Sequence, residues 1–171
     1  GEDVILCGSF SKTLAPGYRV GYIAAGKYQQ RVLELKYALN LGGSSLSALA
    51  IAEFLKTGGY ERHLRKLRHA FRQQVCKARE TVAEVFPAST KVTNPSGGFV
   101  LWLEFPESVD VMPVFPIARA AGISFAPGPL FSPDGRFRNC LRLSCGAPWT
   151  PKMEAALATL ANMIRKQNPG L

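Results

Sequence analysis

The stretch Ser9-Phe10-Ser11-Lys12-Thr13-Leu14-Ala15-Pro16-Gly17-Tyr18-Arg19-Val20-Gly21-Tyr22 decides how the rest of the chain is read. The apolar run Val4-Ile5-Leu6-Cys7 leads into it and reads as a buried strand. A second apolar run, Val20 to Ala25, leaves it. Between the two, one lysine stands among small hydroxyl residues, Pro16-Gly17 marks a turn, and Arg19 follows. A lysine and an arginine at the ends of buried strands are costly to desolvate unless an anion meets them. Serine hydroxyls with a guanidinium suit a phosphate, because arginine donates in a planar fork and serine adds a donor without bulk. An amine shielded beside a fixed cation is placed to attack a carbonyl. The plainer alternative is a strand-turn-strand corner carrying a solvated lysine.

Phosphate and aldehyde together on one small molecule describe pyridoxal phosphate (PLP). The pattern Ser-x-Ser-Lys followed by Pro-Gly-x-Arg-x-Gly resembles the lysine loop of fold-type I PLP enzymes, the aminotransferase superfamily. The resemblance implies that Lys12 is the catalytic amine that joins the cofactor aldehyde. It implies that Ser9, Ser11 and Arg19 hold the cofactor phosphate. It also implies an α/β fold, the C-terminal part of the PLP-binding large domain followed by a small α+β domain. The chain opens directly before a strand, so a start inside a domain is expected. The family's glycine-rich phosphate turn, its ring-stacking aromatic and its ring-nitrogen aspartate would all precede Gly1.

Composition narrows the class. With 171 residues, 47% of them hydrophobic, the chain can bury a real core. No apolar run approaches the roughly 18 residues a membrane helix needs, and no basic leader precedes an apolar segment. A cytoplasmic protein is therefore expected, with no membrane partner. Cys7, Cys76, Cys140 and Cys145 lack metal-ligand spacing and read as free buried thiols, with no metal expected. The formal charge of +9 is concentrated in Arg62, Arg65, Lys66, Arg68, Arg72, Lys77 and Arg79. These fall within one predicted helix, so a solvated face is weighed against a polyanion-binding one. Few aromatics interleave with them, which disfavours stacking on bases.

Along the chain, helices are predicted over 27–41 and 46–56, with Gly42-Gly43-Ser44-Ser45 ending the first and capping the second. Gly58-Gly59 is the expected boundary, giving 1–58 as the large-domain remnant and 59–171 as the small domain. A long helix over 60–86 follows, its stripe formed by Leu64, Leu67, Phe71, Val75, Ala78, Val82 and Val85. Pro87 stops it. Short strands are predicted at 91–93, 97–105, 122–128 and 139–145. A helix restricted by Pro113 and Pro116 lies within 110–121, and a last helix is opened by Thr150-Pro151. Helices over one face of a mixed sheet are the expected arrangement.

Arg142 lies mid-strand in Leu141-Arg142-Leu143-Ser144 and must point away from the leucines, to water or to an anion. Resemblance to the Leu-Arg-Leu strand of aminotransferases implies that it clasps a substrate α-carboxylate. A salt bridge with Glu104 or Asp134 is the alternative. Gly97-Gly98-Phe99 and Ala126-Pro127-Gly128 resemble loops on the substrate side of the fold, and they read equally well as ordinary turns.

The wording of the lysine stretch and of Cys-Leu-Arg-Leu-Ser-Cys-Gly-Ala-Pro-Trp is most similar to the MocR subfamily of GntR transcription regulators. That resemblance implies an effector-sensing, dimerising aminotransferase-like domain. DNA would be contacted through an N-terminal winged helix not present in this chain. A working aminotransferase converting an amino acid to a 2-oxo acid is the second hypothesis. An autonomous basic nucleic-acid module is the third.

Overall fold

The computed structural model describes residues 3–170. The chain divides into two compact units, Gly1–Leu67 and Arg68–Leu171, and each is described separately.

The first unit is built on a two-stranded antiparallel hairpin, β1 (Leu6–Ser9) and β2 (Gly21–Ala24), with Leu6 opposite Ala24 and Ser9 opposite Gly21. Two short helices follow, α1 (Gln29–Asn40) and α2 (Ser45–Lys56). The Ser44 hydroxyl caps α2 by accepting from the Ser47 amide at 3.5 Å. At the end of α1 it is Leu41, not a glycine, that takes positive φ (51°), so the predicted glycine terminus is displaced by one residue. Gly58 has φ +68° and separates α2 from α3 (Gly59–Val85).

One expectation fails here. The hairpin strands are not buried: Leu6 is 58% and Ile23 51% exposed. An isolated two-stranded ribbon covers neither of its faces, so its apolar side chains stay open unless another layer packs on them.

The second unit contains the core. Its sheet has the order β3-β4-β6-β5, formed by β3 (Lys91–Val92), β4 (Val100–Glu104), β5 (Ala126–Pro127) and β6 (Cys140–Ser144). Every pairing among the described residues is antiparallel, which corrects the expected mixed sheet. The connection from β4 to β6 passes through an edge strand that runs against β6, so no parallel pair arises there. Leu101 and Leu103 of β4 and Leu141 of β6 are fully buried, and Val75, Ala78 and Val82 of α3 cluster with them. α4 (Val114–Ala120) and α5 (Pro151–Gln167) complete the layer through Val114, Ala118, Leu160 and Ile164. Pro113 stands just before α4 and Pro116 is its third residue, where a helix amide has no internal partner.

Among the described residues no disulfide forms. Cys140 and Cys145 are buried, but Cys7 and Cys76 are exposed, so only half of the thiols meet the expectation of burial. Burial pushes the Cys145 thiol up to about 11, which keeps it protonated and inert at neutral pH.

The start of α5 carries a titratable lock. The Trp149 indole N–H donates to Glu154 Oε1 at 2.8 Å, and Lys77 Nζ lies 3.5 Å from the same oxygen. The indole donor first, and the ammonium second, hold the Glu154 carboxyl below its ordinary range. A depressed folded value means that the stabilisation is complete above the unfolded carboxylate pKa and is lost as pH falls through the folded one. Glu154→Gln is therefore expected to lower Tm slightly at neutral pH. That deficit should vanish in acid, as paired melts across pH will show.

Candidate functional site

The turn between β1 and β2 is closed by its own backbone. The Phe10 amide donates to the Val20 carbonyl at 3.1 Å, and the Leu14 amide donates to the Phe10 carbonyl at 2.8 Å. A 3-10 turn over Pro16–Tyr18 delivers the chain to Arg19, which sits at φ 52°. A left-handed conformation in a non-glycine residue costs on the order of 1 kcal/mol and persists only where its surroundings enforce it. Here it directs the guanidinium back across the turn. Arg19 Nη1 donates to Ser11 Oγ at 3.2 Å, and the Ser11 amide donates to Ser9 Oγ at 3.2 Å. Two hydroxyls and a guanidinium, separated by up to ten positions in sequence, thus converge on one small region.

Lys12 follows Ser11 on this turn. It is exposed and joins no ion pair among the described residues. The next residue, Thr13, accepts a hydrogen bond from the Tyr60 hydroxyl at 2.9 Å. The Phe10 ring packs edge-on against Tyr60 at 5.7 Å and tilted against Tyr22 at 5.9 Å. Tyr60 therefore anchors the lysine turn from α3, a contact that sequence reading missed because it spans 47 residues. Glycines make the ribbon possible. A Cβ at Gly21 would lie 2.6 Å from the Gly8 carbonyl oxygen.

In the second unit Arg142 stands opposite Trp102 on one side and Ala126 on the other. Its flanking leucines are buried and Arg142 is exposed, as the alternation requires. The expected alternative partners do not hold it. Glu104 is engaged by Lys91 Nζ at 2.9 Å, and neither Glu104 nor Asp134 pairs with Arg142. Instead the guanidinium lies 4.7 Å from the Phe131 ring centroid. Trp102 meets Phe131 and Phe137 edge-on at 5.5 and 5.9 Å. Arg142 thus lies against Phe131 and opposite Trp102, and it has no carboxylate partner among the described residues. Sequence carried no signal for the two phenylalanines: Phe131 ends the 3-10 turn over Gly128–Phe131, and Phe137 lies in the loop before β6.

The donor set of the first unit fits a phosphate on its own chemistry: two hydroxyls, one guanidinium and no acidic side chain between Ser9 and Tyr22. The exposed amine beside it fits an aldehyde-bearing partner.

These features define a class, and the comparisons agree with it. The profile of the aminotransferase class I and II family matches residues 1–160, and the chain belongs to that family. Among curated proteins it is similar to YjiR, an uncharacterised HTH-type transcriptional regulator of Escherichia coli (strain K12). The two are 37% identical over 161 residues, 94% of this chain and 34% of YjiR. YdcR of the same organism, also an uncharacterised HTH-type transcriptional regulator, is 33% identical over 166 residues, 97% of this chain and 36% of YdcR. Among solved structures, LysN, an α-aminoadipate aminotransferase of Thermus thermophilus complexed with N-(5'-phosphopyridoxyl)-L-leucine, superposes with a TM-score of 0.82. It is 27% identical, and the match covers 98% of this chain and 42% of that one. The chain spans about a third of the length of the two curated regulators it matches. Among the described residues no helix is long and apolar enough to cross a membrane.

Proposed function

We propose that this chain is the C-terminal part of a PLP-binding, aminotransferase-like domain that senses an amino-acid-type effector and dimerises within a cytoplasmic MocR/GntR-type DNA-binding regulator. The observation that carries the reading is the convergence of Ser9, Ser11 and Arg19 beside the unpaired amine of Lys12. The similarity to two HTH-type regulators supports the regulatory half of it. DNA contact belongs to a winged helix outside this chain. The proposed division into 1–58 and 59–171, as remnant and small domain, puts the boundary at the left-handed break of Gly58, nine residues before the end of the first compact unit at Leu67.

In this proposal Ser9, Ser11 and Arg19 hold the phosphate of PLP, and Lys12 Nζ is the amine at its aldehyde. PLP, when bound, supplies that aldehyde and a ring that accepts electron density. Arg142 binds the α-carboxylate of an incoming amino acid through its fork. Lys12 Nζ, once free, is the base at the substrate α-carbon. Phe131, against which the guanidinium lies, sets its plane, and Trp102 packs edge-on against Phe131.

Arg19→Ala in the full-length protein is expected to weaken PLP binding by about 2 kcal/mol, the loss of one charge-assisted pair. Equal affinity by titration rejects the phosphate role. Arg142→Ala is expected to leave PLP bound while abolishing the spectral response to amino acids. A retained response removes Arg142 from the site.

A second reading, a working aminotransferase acting on an amino acid and a 2-oxo acid, is favoured by the similarity to LysN and by the free guanidinium of Arg142. Sustained conversion of an amino acid by the full-length protein selects it. A single spectral change without turnover, coupled to altered DNA binding, selects the regulator.

A further inference from the structure

Apart from the lysine turn and Arg142, the second unit holds a cleft of about 280 Å³ between α3 and the loop that enters β4. Arg68, Arg72 and Arg79 line its helical wall. Their spacing of four and then seven residues stacks them along one side of the helix, about three turns in all. The opposing wall is Asn94-Pro95-Ser96-Gly97-Gly98. No carboxylate lines the cleft, and none of the three guanidiniums joins an ion pair among the described residues. Lys77, on the same helix, does find one in Glu154.

Two further observations point to an anion as the ligand. The Nε of Arg79 is buried and has no hydrogen-bond partner. A buried guanidinium donor left unpaired is costly, and an anion in the cleft would satisfy it. The amides of Ser96, Gly97 and Gly98 also donate to no acceptor among the described residues. Gly98 turns the loop through φ +83°, where a side chain would be strained. Phe71 and Val75 add an apolar floor, with Phe71 packed 4.8 Å from Phe99.

We infer that this cleft, whose lining includes neither Lys12 nor Arg142, is a binding site for a small phosphomonoester. Three guanidiniums with no acid in the cleft more than offset the charge of about −2 that a phosphate monoester carries at neutral pH. Arginine is the side chain whose fork meets phosphate oxygens in pairs. The volume admits a phosphate with a short apolar substituent and is small for a nucleotide. A concave site with a buried donor also favours a small ligand over a nucleic-acid backbone, which would engage the exposed Arg62, Arg65 and Lys66 as readily.

The test uses the full chain carrying Arg19→Ala, so that the turn after β1 does not compete for phosphate. Calorimetric titration with inorganic phosphate and with phenyl phosphate is expected to show one saturable site, with phenyl phosphate the tighter. Arg72→Gln, at an exposed position, is expected to weaken both by about tenfold or more, the worth of one charge-assisted contact. Its thermal melt without ligand should stay near the parent's. Arg79→Gln is expected to remove the rise in Tm that phenyl phosphate gives. Binding that survives Arg72→Gln overturns the site. So does the absence of any saturable phosphate site, or tighter binding of succinate than of phenyl phosphate. Displacement by duplex DNA that Arg65→Ala weakens as much as Arg72→Gln would assign the helix to nucleic acid instead.

Discussion

Lys12→Ala is expected to abolish the borohydride-fixed pyridoxyl label on the peptide spanning position 12 when the full-length protein is incubated with PLP. The expectation follows from chemistry that only this residue offers within the turn. Lys12 is the one amine between Ser9 and Tyr22, and it lies next to the hydroxyl and guanidinium set that fits a phosphate. The turn is held by the Phe10 carbonyl accepting from the Leu14 amide and by the Tyr60 hydroxyl donating to the Thr13 side-chain hydroxyl. Truncation to alanine should leave those contacts in place, so the variant should fold. It should also keep part of its non-covalent affinity for PLP, because Ser9, Ser11 and Arg19 remain. The expected result is thus all-or-none in labelling and partial in binding. Undiminished label, recovered at Lys27 or Lys36, would place the amine elsewhere and remove the basis of the proposed function.

Gly128→Ala is expected to destabilise the second unit by about 3 kcal/mol, enough to lower its Tm by roughly 10 °C or more. Gly128 opens a short 3-10 turn directly after the edge strand β5. A Cβ there would overlap the Phe137 carbonyl oxygen and come within 3.0 Å of the Cys140 carbonyl oxygen. Both obstacles are backbone, and neither can swing aside as a flexible side chain could. Relief requires moving the segment that leads into β6, the strand bearing Arg142 and the fully buried Leu141. Urea unfolding should show a lower midpoint with an unchanged slope. Gly97→Ala provides the contrast, since a Cβ there meets nothing within 4 Å, and it should melt close to the parent. Equal stability of the Gly128 variant would show that the contact with the Phe137 segment is looser than described.

The two substitutions differ in what sequence could reveal about them. The chemistry proposed for Lys12 was legible because it is local: an amine, two hydroxyls and an arginine lie within one short turn, and the Pro-Gly corner announces that turn. Helix ends were legible for the same reason at Ser44 and at Pro151, where capping and first-turn preferences act over three or four residues. Gly128 offered only a Pro-Gly corner. Nothing in its neighbours says that a carbonyl nine positions away would occupy the space of a side chain.

The aromatic frame of Arg142 shows the same limit. Alternation along β6 placed the arginine away from its leucines, and the structure agrees. That Phe131 would lie under its guanidinium, and that Glu104 would be taken by Lys91, depended on strand register and on loop paths. The basic stretch of α3 divides in a similar way. Composition showed an excess of charge. Only the packing of loop 94–98 against the helix separated Arg68, Arg72 and Arg79, which line a cleft, from Arg62, Arg65 and Lys66.

Sequence by itself pointed to the family and to the order and kind of the main helices, and it singled out Lys12 with Ser9, Ser11 and Arg19 as the proposed amine and phosphate donors. These depend on periodicity and on motifs whose residues are close neighbours along the chain, so local sterics and hydrogen bonding suffice to specify them. Tertiary structure alone decided that the sheet is wholly antiparallel. It also decided that Tyr60 anchors the lysine turn and that three arginines share one cleft. Each of those outcomes is a contact or its absence between segments far apart in sequence, and such contacts are set by how the whole chain packs.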